Sequence, residues 1–380
     1  MTARKMIQIS KPSTGEEEWR ACRDPLISGW LTQGPKVREF EALFASRHRV
    51  GHALATTSCT TALHLIIAAL GIGQGDEVIV PAFTWVATAN VVLYCGATPV
   101  FADVDAETYN VDPADIARKL SERTKAVIVV HLFGLCADMD AIRAVVPPGV
   151  VIIEDAACAA GASHEGVPAG GLGRVAAFSF HPRKSVTTGE GGMATTNDLE
   201  LAERMEMLRN HGAAVSEEQR HLGPRPYLLP EFNLLGFNYR MTDLQASVGI
   251  VQLQKLDRFI AERREMAERY RDGLQRLSWL RMPDFGNGGH AWQAFVTYVD
   301  ASTAPMPRNA LMEQLQSAGI STRPGTHAVH MLGYYRDRFG LAPDDFPAAR
   351  DCDSSTMAIP LHNEMTADDV EHVIATLNSF

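Results

Sequence analysis

Apolar positions along the first 200 residues alternate between two periods. Residues 77–80, 98–101, 126–130 and 150–153 are short runs rich in valine and isoleucine, each bounded by turn residues. Continuous β-branched runs of this kind suit parallel strands buried on both faces. Between them lie stretches with helical spacing, over 36–46, over 60–70 and from Thr84 towards Tyr94. Ser13-Thr14-Gly15-Glu16 resembles a capping box and predicts a helix running towards Leu26. Strands alternating with helices imply βαβ units, and so an α/β domain around a mostly parallel central sheet flanked by helices.

After Tyr239 the texture changes. Residues 241–277 predict a long helix, or two helices broken near Leu256. A strand over 293–299, a helix over 309–318 and a terminal helix over 368–377 follow, enough for a smaller C-terminal α+β domain. We expect residues 1–252 to form a large domain and residues 253–380 a small one, with the boundary inside the long helix. The chain has 380 residues, more than one compact core usually takes.

Charge and composition narrow the function. A net charge of −10 argues against a nucleic-acid binder. The Arg263-Arg264 pair reads as part of a solvated helix face. The polar start predicts no signal peptide, and no apolar run approaches membrane-spanning length. Six scattered cysteines, with no C-x-x-C pair, predict neither a metal site nor a disulfide framework. We expect a cytoplasmic protein without a metal.

Candidate chemistry gathers around Lys184. It follows the apolar run Ala177-Phe178-Ser179-Phe180 and precedes the glycines at 189, 191 and 192, which allow backbone to pass close to a ligand. A lysine so placed can form a Schiff base with an aldehyde cofactor, or it can decorate a solvated loop. Asp155 ends the strand over 150–153, where open α/β sheets bind ligands. It can hold a pyridine nitrogen protonated, or cap a helix over 156–160. Ser58, Cys59 and Thr60 open a helix whose N-terminus suits a phosphate, or simply cap it. Trp85 can stack on a pyridine ring, or sit in the core. The run Gly170-Gly171-Leu172-Gly173 lacks the G-x-G-x-x-G spacing of a nicotinamide site.

As an ordered set these residues resemble the sugar aminotransferases of the DegT/DnrJ/StrS type, which are fold-type-I enzymes dependent on pyridoxal 5′-phosphate. The resemblance runs nearly end to end. It includes Gly71-Ile72-Gly73-Gln74-Gly75-Asp76-Glu77, His131-Leu132-Phe133-Gly134, Glu154-Asp155-Ala156-Ala157, Gly189-Glu190-Gly191-Gly192 and Gly236-Phe237-Asn238-Tyr239-Arg240. It implies Lys184 as the Schiff-base lysine and Asp155 as the pyridinium partner. Ser58, Cys59, Thr60 and Ser179 would seat the phosphate, and Trp85 would cover the ring. Asn238 would reach the cofactor of a second subunit, so a homodimer with shared sites is expected.

The family usually carries Gln or His where Cys158 stands, near the cofactor's phenolic oxygen, and a thiol is a weaker partner. Some relatives have histidine in place of the lysine, bind pyridoxamine 5′-phosphate and dehydrate sugars; Lys184 therefore favours transamination. The resemblance implies glutamate as donor, pyridoxamine 5′-phosphate as cycle intermediate, and a nucleotide-linked 3-keto or 4-keto sugar as acceptor, in amino-sugar biosynthesis. Arg323 and His327 would face that substrate, or belong to a surface loop. A cyclitol-ketone aminotransferase, a dehydratase and a non-catalytic regulator are the alternatives.

Overall fold

The structure is a computed structural model that describes residues 6–213, 227, 229 and 231–380. Its centre is a seven-stranded sheet made of β1 (His52–Thr56), β2 (Glu77–Pro81), β3 (Thr98–Ala102), β4 (Thr124–Val130), β5 (Val151–Asp155), β6 (Val175–Ser179) and β7 (Gly192–Thr196). Their order is β1-β7-β6-β5-β4-β2-β3, and β7 alone runs against its neighbours. This is the mostly parallel α/β architecture that the sequence predicts.

Alternate residues of each strand feed opposite faces of the sheet. Val78, Val80 and Ile128 pack on one side with Leu63 and Ile66 of the helix Cys59–Ala69. Ile79, Val127 and Val129 pack on the other with Phe40, Phe44 and Phe178. Both faces are thus apolar, and each large side chain buried there contributes about 2 kcal/mol.

The predicted helix towards Leu26 is two short helices, Glu16–Ala21 and Arg23–Ser28. Gly15 caps the first, and its N–H donates to Glu18 Oε2 at 2.8 Å. The long helix is unbroken, Asp243–Leu274. Ala246, Ile250, Leu253, Leu256 and Phe259 pack against the large sheet, whereas Ala267, Tyr270 and Leu274 join a third core. That core is built on the strands Leu280–Arg281, Phe295–Val299 and Thr356–Ile359 and the helices Arg308–Ser317 and Ala367–Leu377. We propose the division into residues 1–252 and 253–380, with this helix shared between the two domains.

Arg263 is not on a solvated face. It is buried, and its guanidinium donates to the carbonyls of Trp292 and Gln293, both at 3.1 Å, and to Asn363 Oδ1 at 2.8 Å. Burial pulls its pKa down to about 10. The chain needs this cation where three acceptors converge, a requirement that charge patterning along the helix does not reveal.

Two buried histidines make the fold acid-sensitive. Burial pushes His48 down to about 4 and His290 down to about 3. His48 Nδ1 donates to the Ala169 carbonyl at 2.7 Å, and His290 Nδ1 accepts from Trp292 N at 2.8 Å. The unfolded chain takes up these protons near pH 6.5 and the folded chain does not, so stability falls as pH drops below that value. At pH 5 each group costs about 2 kcal/mol. Urea unfolding at pH 7 and pH 5 should show that loss, and His48→Gln or His290→Gln should each remove part of the pH dependence.

Candidate active site

The sheet register brings the predicted residues to one edge. Thr56 pairs with Gly192, Gly192 with Ser179, and Ala177 with Asp155. The ends of β1, β5 and β6 therefore lie beside the start of β7, at the carboxyl edge where such sheets bind ligands.

The helix Cys59–Ala69 starts at this edge. Ser58 caps it: its Oγ accepts from Thr61 N at 3.1 Å, and its own N–H donates to Thr61 Oγ1 at 2.9 Å. The Ser58 hydroxyl is thus committed to the helix, while the N–H groups of Cys59 and Thr60 stand at its positive end. Gly192 lies against this turn. A Cβ there would come within 2.4 Å of Ser58 C and O and 2.6 Å of Cys59 N. Only a residue without a side chain lets β7 approach the helix so closely. Ser179, nearly buried, adds a hydroxyl from the neighbouring strand.

Asp155 is buried at the end of β5. Its Oδ2 accepts from Thr88 Oγ1 at 2.8 Å and its Oδ1 from Ala157 N at 3.2 Å, with Cys59 Sγ 3.9 Å away. No helix follows it, so it is not a helix cap. Burial raises its pKa, while Thr88, Ala157 N–H and Lys184 pull the other way. A carboxylate kept in such surroundings gains most from a cation placed against it.

Behind it, Glu154 is fully buried and accepts from Gly170 N (2.7 Å), Leu172 N (2.8 Å), Gly173 N (2.6 Å) and His131 Nε2 (2.9 Å). Burial opposes its charge, yet His131 and the glycine N–H groups hold its carboxyl below the usual range. The glycine run at 170–173 therefore wraps a carboxylate of its own chain. His131 Nδ1 accepts from Ala137 N at 3.2 Å, which puts the ring proton on Nε2, facing Glu154, and the His131 backbone N–H donates to the Asp155 carbonyl at 3.1 Å. This network fixes the end of β5, and with it the direction of Asp155.

Lys184 sits in a turn tied at several points. Its N–H donates to the His181 carbonyl at 2.8 Å, Arg183 N–H donates to His181 Nδ1 at 3.2 Å, and Gln293 Nε2 donates to the Arg183 carbonyl at 2.8 Å. The side chain turns inward, where Nζ meets Cys158 Sγ at 3.1 Å. Burial disfavours the ammonium, but Cys158, Cys59 and Asp155 outweigh it and raise its pKa. Lys184 is not a solvated loop residue.

Trp85 is 59% exposed, so it is not a core residue. Thr84 pairs with His327, and the Trp85 and His327 rings stand 5.6 Å apart. His327 thus joins the mouth of the site. Arg323 is exposed and held through its backbone to Ala358. Asn238 is exposed on a segment whose neighbour, the Tyr239 carbonyl, accepts from Thr57 N at 3.0 Å, next to the helix start.

Sequence reasoning missed Thr88, the His131–Glu154 pair and Gln293. Thr88 lies one helical turn after Thr84, and their hydroxyls are 3.1 Å apart. That spacing was a readable signal; the Gln293 contact, across 110 residues, was not. Replacing Thr88 with valine should strip Asp155 of the hydroxyl that donates to its Oδ2. The Asp155 pKa then rises further, so cofactor binding should weaken about 10-fold and its acid limit should move to higher pH. Absorbance titration with the cofactor across pH measures both.

The donor set fits a phosphorylated pyridinium: free helix-start N–H groups beside a glycine, a serine hydroxyl, a buried carboxylate, an exposed aromatic ring and an inward lysine amine. Comparison with known proteins agrees. Residues 12–378 match the DegT/DnrJ/EryC1/StrS aminotransferase family, and the chain belongs to it. It is a pyridoxal-phosphate-dependent aminotransferase. It is 40% identical to the spore coat polysaccharide biosynthesis protein SpsC of Bacillus subtilis over 371 residues, covering 97% of this chain and 95% of that one. The solved aminotransferase TlmJ from Streptoalloteichus hindustanus is 35% identical with a TM-score of 0.89, covering 98% of both chains. The sugar aminotransferase Spr1654 from Streptococcus pneumoniae, described as putative, has a PMP form that is 28% identical with a TM-score of 0.90, covering 98% of this chain and 97% of that one. Its PLP form has the same identity and a TM-score of 0.89, covering 98% of both chains. Among the described residues no helix is long and apolar enough to cross a membrane.

Proposed function

We propose that the protein transfers an amino group from glutamate to a nucleotide-linked sugar ketone, at the 3- or 4-position, in polysaccharide biosynthesis. The observation that carries this reading is the Lys184 amine, turned inward against Cys158 and near enough to the buried Asp155 to feel its charge. The names of SpsC and Spr1654 support the sugar and the pathway.

When bound, pyridoxal phosphate supplies an aldehyde for the amine and an electron sink for the pair left by proton removal. Lys184 covers the rest of the proton chemistry. Its Nζ would hold the cofactor through its aldehyde and, as a free amine, would take the substrate's α-proton as general base and return it as general acid. Asp155, aimed by Thr88 and the His131–Glu154 network, holds the proton on the ring nitrogen. Cys59 and Thr60 N–H, the Thr60 hydroxyl and Ser179 hold the phosphate, and Gly192 makes room for it. Trp85 covers the ring, and Asn238 reaches across to the phosphate in the partner subunit. Arg323 and His327 face the acceptor: a guanidinium suits a diphosphate and an imidazole a sugar hydroxyl.

Lysine, rather than histidine, at 184 supports transfer over dehydration. The test is incubation with glutamate and a panel of 3-keto and 4-keto nucleotide sugars and cyclitol ketones. One 2-oxoglutarate per amino sugar is expected. Dehydrated sugar without 2-oxoglutarate, or turnover with cyclitol ketones alone, would overturn the assignment.

A further inference from the structure

Two thiols lie beside Asp155 and Lys184, and they differ in kind. Cys59 is buried near Asp155, and burial followed by the carboxylate's charge raises its pKa well above the usual thiol value. It is therefore an inert, protonated thiol. Cys158 is half-buried, so a small solute can reach it, and its sulfur is 3.1 Å from Lys184 Nζ. An amine at that distance can accept the thiol proton, and the thiolate is the form that peroxides oxidise.

We propose that Cys158 and Lys184 are a covalent modification site, joined by a sulfur–nitrogen bond when a hydroperoxide reaches the pocket while the lysine amine is free. In the first step the Cys158 thiolate attacks the peroxide. The O–O bond breaks, sulfur is oxidised to sulfenic acid, and the departing oxygen takes from Nζ the proton that the thiol had given it, so that water (or an alcohol) leaves as the reduced product and the amine lone pair is free again. In the second step the Nζ lone pair attacks that sulfur. The S–O bond breaks, hydroxide leaves with a proton from the amine as a second water, and an S–N bond remains. The pair loses two hydrogens and the peroxide takes up both electrons. A thiol reverses the step by attacking sulfur and restoring the amine. The contact distance removes the need for any rearrangement of the backbone.

The same amine cannot serve cofactor and sulfur together. The aldehyde form of the cofactor occupies Nζ and shields the pair, whereas the amine form leaves Nζ free beside Cys158. Oxidative loss should therefore track the half of the cycle in which the enzyme waits for its ketone. This dependence, but not the cross-link itself, rests on Lys184 being the cofactor lysine.

The experiment treats enzyme loaded with pyridoxal phosphate, or with pyridoxamine phosphate, with hydrogen peroxide, and measures intact mass and tryptic peptides. Expected in the pyridoxamine-loaded enzyme is a loss of about 2 Da, a peptide joining residues 158 and 184, and reversal by dithiothreitol. The joined peptide should be at least about 10-fold rarer in the pyridoxal-loaded enzyme. It should be absent in Cys158→Ser and present in Cys59→Ser. Sulfinic acid at Cys158 with Lys184 in a separate peptide would overturn the proposal, as would a Cys59–Cys158 disulfide. Equal cross-linking in both loaded forms would overturn the shielding. Borohydride reduction of the pyridoxal-loaded sample reports separately whether Lys184 carries the cofactor, so failure of that assignment is distinguishable.

Discussion

Lys184→Ala should abolish transamination, by at least about 10⁴-fold, while the protein stays folded. The loss is large because, in the proposed function, one amine does two jobs, linking the cofactor and moving the substrate proton. Little structure depends on its side chain: Nζ contacts Cys158, and the turn is held by backbone bonds to His181 and by Gln293. Thermal unfolding should therefore change little. A small primary amine added in solution should restore part of the turnover, because it can take over the proton transfer that the alanine variant lacks. A non-catalytic regulator would show no turnover to lose, and its biological effect would survive the substitution.

The second large effect is expected at Gly192. Its conformation is not the issue; the space is. A methyl group would meet Ser58 C and O at 2.4 Å and Cys59 N at 2.6 Å, all backbone atoms that cannot swing aside. Either β7 or the start of the helix Cys59–Ala69 must move, and the proposed phosphate seat lies at that helix start. Overpacking of this kind costs about 1–3 kcal/mol. Gly192→Ala should therefore weaken cofactor binding by about 100-fold, measured by absorbance titration. Unfolding of the cofactor-free protein, measured in parallel, separates the seat from general destabilisation. Gly189→Ala is the contrast: nothing lies within 4 Å of its missing Cβ, although its φ of +84° adds local strain.

The sheet was legible because its strands are buried on both faces, so β2, β4 and β5 appear as unbroken apolar runs. β7 was not legible in this way. Gly192-Met193-Ala194-Thr195-Thr196 has no run of valine or isoleucine and ends on two polar threonines, and its reversed direction comes from pairing with β1 and β6. The long helix invited a break near Leu256, yet Leu256 is a fully buried contact that continues the packed face. Arg263 looked solvated because its acceptors, the carbonyls of Trp292 and Gln293 and the side chain of Asn363, lie 29, 30 and 100 residues away along the chain.

In the site, Lys184, Asp155, Cys59, Thr60 and Ser179 could be named because each ends or follows a readable element. Ser58 could be named too, but its hydroxyl serves the helix. Cys158 stood out as a departure in the sequence, and its contact with Lys184 emerged only from folding. Thr88 reaches Asp155 from the helix Ala87–Tyr94, and His131 reaches its strand neighbour Glu154 from the end of β4, so their role depends on the fold rather than on local pattern.

The central claim is that Lys184 carries the cofactor. Borohydride reduction of the pyridoxal-phosphate-loaded enzyme, followed by peptide mass spectrometry, tests it most directly. The expected result is a yellow protein that is bleached by the reduction, with the phosphopyridoxyl group fixed on Lys184. A protein that stays colourless with added pyridoxal phosphate, or one that carries the label on a different lysine and none on Lys184, would contradict it.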